Sequence, residues 1–258
     1  MSKLPISIFI ITKNEGDRIE NIILKAKKIT GDIIIIDSGS DDNTVQLAES
    51  LDVEVIFNKW QGYGQQKIFG ESKCKNKWIL NIDADEEITN ELADEIKKIF
   101  HSNEYKDFAG FRIKIVNKFF CEKKPKKLAY YYNQLRLYNV DKAGFKNSSI
   151  HDSVIIKDNY KGKIGQLHNI IEHKSFKSVA HWVDKINFYS NLQAEDNFNK
   201  NKCPSHIKIF LTIIISFFKA YFIRRYFIYG FSGVYYSAIF SFSRFLKLIK
   251  IREKFNKL

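Results

Sequence analysis

The chain is expected to fold as an α/β protein, a mostly parallel sheet with flanking helices followed by a C-terminal amphipathic helical segment, and three observations carry that expectation. Through about the first hundred residues, short apolar runs rich in β-branched side chains alternate with polar helical stretches, as in strands joined by crossover helices. After Phe100 the apolar runs are separated by loops without obvious crossover helices, which predicts sheet of mixed direction. Beyond residue 200 the sequence becomes apolar, aromatic and basic together.

The elements follow in order. Strands are predicted at residues 6–11, 33–36, 53–56 and 78–82, separated by helices near 18–29, 43–51 and 65–72. Another helix begins near Asn90, with Asp85 or Thr89 suited to cap it. Residues 109–116, 134–138 and 153–156 read as further strands. A helix over 179–195 places Val179, Trp182, Val183, Ile186 and Tyr189 on one face. No internal repeat is visible, and three prolines make no linker.

A length of 258 residues with 45% hydrophobic and 15% aromatic content suits one sizeable packed core with an appended element. The expected division is one α/β domain over residues 1–200 and a basic, apolar helical tail over 201–258. Cys74, Cys121 and Cys203 lie far apart, form no CxxC pair and are odd in number, so neither a zinc site nor a disulfide framework is predicted. A reducing cytosol suits them. The start shows no basic region, apolar core and cleavage site of a secretory signal, and a cytoplasmic location is expected.

The net charge is +13, and from Lys200 onward twelve Lys and Arg stand against a single acid, Glu253. Such a tail binds nucleic acid or anionic lipid. Its aromatics are embedded in Ile and Leu runs rather than interleaved with the charges, which favours lipid, and no nucleic acid partner is expected. The uncharged stretches 209–218 and 226–243 are interrupted by Lys219, Arg224 and Arg225, and neither clearly meets the ~20 apolar residues of a spanning helix. An amphipathic pair lying in the interface of an anionic membrane is predicted, with packing on the protein itself as the alternative.

The chemistry is concentrated where apolar runs end. Thr12-Lys13-Asn14-Glu15 follows the first predicted strand, Asp37-Ser38-Gly39-Ser40-Asp41-Asp42 the second and Asp83-Ala84-Asp85-Glu86 the fourth. In an open parallel sheet those strand ends share one edge, where ligands bind. Two carboxylates at a strand end suit a hard divalent cation carrying phosphate oxygens. Asp37 is placed to accept from a base or sugar, Gly39 lets backbone approach, and Asp41 or Asp42 is read as a helix cap. Neither a P-loop nor a G-x-G-x-x-G fingerprint is present.

These three motifs, in this order, resemble the inverting GT-A glycosyltransferases of family two, whose fold is a Rossmann-like sheet. Gln66-Lys67, sixteen residues before Asp83, stands where relatives carry Arg-Asn, with Ile68 in place of the Asn. The resemblance implies that Thr12, Asn14, Glu15 and Asp37 line the nucleotide pocket, that Lys67 and Asp83 contact nucleotide or ribose, and that Asp85 binds Mg²⁺ or Mn²⁺ on the diphosphate of a UDP-sugar donor. Trp60-Gln61-Gly62-Tyr63-Gly64, Ile150-His151-Asp152 and His173-Lys174-Ser175-Phe176 are similar to the subgroup of lipopolysaccharide core β-glucosyltransferases, in which His-Glu is usual where this chain has His151-Asp152.

That resemblance implies transfer of one sugar, glucose or another hexose, to a hydroxyl of a membrane-bound glycolipid such as lipopolysaccharide inner core, at the inner face of the cytoplasmic membrane. Asp152 is the candidate base for the acceptor hydroxyl, with a loop Asp bonded to backbone amides as the alternative. His173 is read as structural or acceptor-facing, and Arg136 as binding an anionic acceptor group or forming a surface ion pair. Two rival functions remain: a family-two enzyme acting on polyprenyl phosphate, whose anionic acceptor needs no base, and a basic nucleic-acid-binding protein.

Overall fold

The computed structural model describes residues 4–146 and 153–256. They form two compact units: residues 1–116 with 131–174, and residues 117–130 with 175–258.

The first unit is built on an eight-stranded sheet. Its elements run β1 (Ile6–Thr12), α1 (Ile19–Ala26), β2 (Asp32–Asp37), α2 (Thr44–Ser50), β3 (Glu54–Phe57), α3 (Tyr63–Lys73), β4 (Trp78–Asp83), β5 (Glu86–Ile88) and α4 (Asn90–His101). They continue with β6 (Phe108–Asn117), β7 (Tyr131–Asn139), β8 (Ala143–Phe145), β9 (Val154–Ile156) and β10 (Lys163–His173). The strand order is β3-β2-β1-β4-β7-β6-β10-β5, and β8 and β9 make a separate two-stranded ribbon. β3, β2, β1 and β4 pair in parallel, whereas β4–β7, β6–β7 and β10–β5 pair antiparallel. The parallel half thus carries the three motifs, and the later strands turn the sheet to mixed direction.

Every residue of β1 is buried, because both faces of the sheet are covered. Ile6, Ile8 and Ile10 point into a core shared with Ile33, Ile35, Leu80 and the buried faces of α1 and α4. Phe9 and Ile11 point into a second core with Ile34, Ile36, Ile79 and Tyr138, against which Phe69 of α3 packs. Alternation with a period of two divides the strand between two layers of helix. α3 comes close to β1 through Gly70, where an added Cβ would lie 2.5 Å from Phe9 Cδ2.

Thr89, rather than Asp85, caps α4: its Oγ1 accepts from the Leu92 amide at 3.2 Å and donates to the Ile170 carbonyl at 2.9 Å. Three strands escaped the sequence reading. β10 is the longest, and its buried residues Leu167 and Ile171 are four apart, with Asn169 only partly buried between them. Its period-two signal is therefore diluted. β5 and β8 have three residues each, too few for a pattern.

The second unit comprises α5 (Val179–Asn199), α6 (His206–Phe218) and α7 (Phe231–Asn256) with the segment 117–130. The predicted face of α5 is corrected: Trp182, Ile186, Ser190 and Ala194 are buried, while Val179 and Val183 are exposed. The small Ser190 and Ala194 continue the buried row at i+4 spacing and let neighbouring backbone approach. Phe119 anchors 117–130, stacking on Tyr236 with ring centroids 3.9 Å apart. The stretch 226–243 is not one helix. Tyr226–Tyr229 form a 3₁₀ turn, Gly230 takes φ +60°, and α7 starts at Phe231.

Candidate active site

The strand register sets the site. Thr12 lies opposite Asp37 in the β1–β2 pairing, and Ile11 lies opposite Asp83 in the β1–β4 pairing. All three motif loops therefore leave the sheet at one level, on its carboxyl edge.

The first two loops interlock. The Asn14 amide donates to Ser40 Oγ at 2.9 Å, the Asp41 amide to Asn14 Oδ1 at 3.0 Å, the Glu15 amide to Thr44 Oγ1 at 2.9 Å, and the Gly16 amide to Asp42 Oδ2 at 3.0 Å. Asn14 reaches this arrangement at φ +56°, a conformation Asn tolerates better than most residues. Asp37 is buried and folds its own loop, Oδ2 accepting from the Gly39 and Ser40 amides at 2.7 and 2.9 Å, and Oδ1 from the Ser40 hydroxyl. The turn needs Gly39 at φ +94°. A carboxylate offers about four lone-pair positions, so Asp37 organises the pocket wall and retains acceptor capacity. Asp42 accepts from the Thr44 amide two residues on at 3.0 Å, a turn that leads into α2, but the N-cap position itself is Asn43 and has no side-chain cap bond, and the other oxygen of Asp42 ties the two loops. Thr12 Oγ1 is buried without a hydrogen-bond partner among the described residues. A buried hydroxyl at a strand end left so is costly unless a ligand completes it.

Beneath Asp83 lies a buried charge network. Lys67, only 1% exposed, places Nζ 3.0 Å from Asp83 Oδ1. Arg136 donates from Nη1 to Asn81 Oδ1 at 2.7 Å and from Nη2 to Glu86 Oε1 at 2.7 Å, with Asp83 Oδ2 at 3.4 Å. Glu86 Oε2 accepts from the Asp83 amide at 2.9 Å. Burial alone would raise the Asp83 carboxyl, but Lys67 and Arg136 outweigh it and hold Asp83 below the ordinary carboxylate range. Glu86 is pushed the other way, because burial outweighs Arg136. Arg136 is thus neither a surface ion pair nor spent on solvent; it is a buried clamp on β4. Lys67 likewise spends its charge on Asp83.

Asp85 sits on the outer side of this network. His173, at the end of β10, brings Nε2 to 3.3 Å from Asp85 Oδ1. Burial would lower the imidazole, but the bond to Asp85 and the neighbouring carboxylates raise it above its ordinary value. The Lys174 amide donates to the Asp85 carbonyl at 2.8 Å, fixing the two strands together.

The structure therefore brings Thr12, Asn14, Glu15, Asp37, Lys67, Asp83 and Asp85 to one edge. Asp152 and His151 lie outside the described residues. Glu86, Asn81 and the pairing of His173 with Asp85 escaped the sequence reading. His173 stands opposite Glu86 in the β10–β5 register, and no sequence spacing links them. Among the described residues no three His, Cys, Asp or Glu side chains form a ready metal cage. Asp85 offers a carboxylate, and His173 beside it could add an imidazole nitrogen only after giving up the proton that its pairing with Asp85 favours; a hard cation bound through so few protein groups takes phosphate oxygens and water for the rest. The donor set fits a cation that arrives with a diphosphate.

This α/β chain, with its polar loops gathered at the carboxyl edge of the parallel strands, is a glycosyltransferase. Residues 7–173 match the family described as Glycosyl transferase family 2, and the chain belongs to that family. A glycosyltransferase of Rickettsia bellii is 47% identical over 96% of this chain and 86% of its own length. The lipopolysaccharide core biosynthesis glycosyltransferase LpsC of Rhizobium meliloti is 27% identical over 98% of this chain and 93% of its own. Among solved structures, glucosyl-3-phosphoglycerate synthase from Mycobacterium tuberculosis, in complex with Mn²⁺ and UDP-glucose, aligns over 45% of this chain and 44% of that one, with a TM-score of 0.34 and 17% identity.

Proposed function

We propose that this enzyme transfers one hexose from a UDP-sugar to a hydroxyl of a membrane-bound glycolipid, with inversion at the anomeric carbon. The observation that carries the reading is the level register of Thr12, Asp37 and Asp83, which aligns one pocket wall for a nucleoside diphosphate. The orphaned Thr12 hydroxyl supports a ligand there. The likeness to LpsC over nearly the whole length of both chains supports a lipopolysaccharide-core acceptor.

In the transfer, the acceptor oxygen bonds to the anomeric carbon as the bond from that carbon to the diphosphate breaks, and the electron pair leaves with UDP. A divalent cation bound at Asp85, with His173 as a second ligand once its imidazole has lost its proton, would neutralise charge on the departing diphosphate. Lys67 and Arg136 keep Asp83 ionised and fixed toward the nucleotide. Asp152 takes the proton from the acceptor hydroxyl. Losing a general base costs on the order of 10²–10⁴ in rate, so Asp152→Asn should lower kcat strongly with donor affinity unchanged. Near wild-type transfer by that variant would favour an acceptor that is already anionic.

The tail, residues 201–258, is proposed to rest on an anionic bilayer while residues 1–200 carry the transfer. α6 runs on through a π-helical turn, Lys219–Ile223, so that the segment His206–Ile223 is long and apolar enough to cross a membrane by length and composition. The helix thus extends beyond the uncharged stretch 209–218 on both sides. It is scarcely buried: Ile207 is 73% exposed, Phe210 66% and Ile215 60%. Lys208 and Lys219 are both exposed and leave ten uncharged residues between them, about 15 Å of helix, half of a hydrocarbon core. A helix so interrupted lies in the interface with its lysines at anionic headgroups. Not every basic residue of the tail is available: Lys254 pairs with Glu195, and Arg224 lies over the rings of Tyr130 and Phe240.

The direct test is a donor screen that follows release of UDP or ADP from several nucleotide sugars, with Mn²⁺, with Mg²⁺ and with excess EDTA. Turnover of a UDP-hexose that EDTA abolishes is the expected result. Turnover untouched by EDTA removes the cation, and turnover of none of the UDP-sugars refutes the donor assignment.

A further inference from the structure

Within the first unit, a cavity of about 150 Å³ opens beside the charge network on the side of β6 and β7. It is lined by Arg112, Arg136, Asn81, Asn133, Gln134 and Ser153, with Leu135, Phe145 and Val154 as its apolar wall. Among the described residues that line it there is no Asp or Glu.

The cavity adjoins the donor side. Asn81 and Arg136 belong to both, and Phe145 lies 6.0 Å from the Lys67 ammonium. β7 runs antiparallel to β4, so residues 133–136 approach the level at which β4 ends in Asp83. An acceptor must reach the anomeric carbon from such a neighbouring space.

The polar lining is held in place. Arg136 is clamped by Asn81 and Glu86. The Asn133 side-chain nitrogen donates to Gln166 Oε1 at 2.8 Å, and Gln166 Nε2 donates to the Arg112 carbonyl at 3.1 Å. Arg112 differs from Arg136: its guanidinium makes one long bond, Nη1 to the Asn133 carbonyl at 3.4 Å, and no ion pair among the described residues. It is exposed. Among the described residues its charge is therefore uncompensated, and it lines the cavity together with amides, a hydroxyl and a second guanidinium. An arginine fork of this kind matches the paired oxygens of a carboxylate or phosphate. The volume is below the several hundred Å³ of a site that encloses a drug-sized ligand, so it suits one charged group and the ring carbons next to it.

We propose that this cavity is an acceptor subsite for an anionic sugar, with Arg112 as the residue that recognises the anion. The inference rests on the donor reading above and adds the chemical class of the acceptor. The two sources of such an anion are a phosphorylated sugar and a sugar acid.

The experiment is calorimetric titration of the full chain, saturated with UDP and Mn²⁺ to fill the diphosphate site, with glucose 6-phosphate, glucuronate and glucose. At least one charged sugar should bind about tenfold more tightly than glucose, as expected for a charge-assisted pair, and which one binds separates phosphate from carboxylate. Arg112→Gln should remove that preference while UDP affinity stays as in wild type, which also shows that the variant is folded. Equal binding of all three sugars, binding of none, or a preference unchanged in Arg112→Gln overturns the subsite. If UDP binds and the anions do not, the donor reading survives alone. If UDP itself fails to bind wild type, the donor reading falls, and the three sugars titrated without it still decide whether Arg112 selects an anion.

Discussion

Among the attachments of Arg136, its two short ones differ in kind: an ion pair to the buried Glu86 and a hydrogen bond to the fully buried Asn81. Removing one member of a buried pair leaves the other charge uncompensated, at a cost of about 3–5 kcal/mol. Arg136→Met should therefore destabilise the chain by that order in urea unfolding, and Glu86→Leu added to it should restore most of the loss. If the double variant is no better than the single one, the pair is not the origin of the cost. Glu71 offers a milder test. Tyr138 donates to its Oε2 at 2.6 Å and the Phe145 amide at 3.2 Å, yet burial keeps the carboxyl above its ordinary value. A raised folded value means that this group's contribution is complete below the unfolded value and is lost as pH rises through the folded one. Glu71→Gln keeps an acceptor but cannot ionise. Its melting temperature should fall less between pH 5 and pH 7.5 than that of wild type, and an unchanged slope would reject the assignment. Thr12, Asp37 and Asp83 were legible in the sequence, because each ends an apolar run with a polar side chain. The partners of the two Asp-x-Asp carboxylates were not: Arg136 and His173 come from antiparallel strands far along the chain, and only pairing brings them near.

α4 illustrates how an element close to the site is held. Its start near Asn90 was readable, with Thr89 one of two candidate caps, and its buried row is Leu92, Ala93, Ile96 and Phe100. The structure adds that the same hydroxyl also donates to the Ile170 carbonyl, joining the helix start to β10. Thr89→Ala should cost about 1–2 kcal/mol, the upper part of the range for a lost N-cap, and a loss of only a few tenths would show that water replaces both bonds. β10 itself was invisible because Gly165 and Asn169 interrupt its apolar alternation. Gly165 has a packing reason, since an added Cβ there would lie 2.3 Å from Phe111 Cδ1. α5 was visible as a helix but with its face displaced, since Ser190 and Ala194 carry no hydrophobic signal although they are buried.

At the scale of the whole chain, sequence and structure agree on an α/β body whose parallel strands carry the motifs and on a helical, basic C-terminal part. The tail accounts for much of the exposed apolar surface, with Phe231 at 85% and Ile223 at 66% exposure. Patches of this size mark membrane or protein contacts. The full chain should sediment with vesicles containing anionic lipid, less so at high salt but not to zero, since apolar insertion is unscreened. Lys208→Glu with Lys219→Glu should release it, whereas resistance to both salt and the double variant would indicate a spanning helix, and no binding at all a protein partner. Asp83 ends β4 and Asp85 follows it in the next turn, at what we propose is the site for a nucleoside diphosphate and its cation. Titration of UDP into wild type and Asp85→Asn, each with and without Mn²⁺, tests it most directly. Mn²⁺ should tighten UDP binding to wild type by about tenfold or more, as a cation bridging protein and diphosphate does, and should do nothing for Asp85→Asn. UDP affinity that is indifferent to Mn²⁺ in wild type, or equally enhanced by it in Asp85→Asn, would contradict the account.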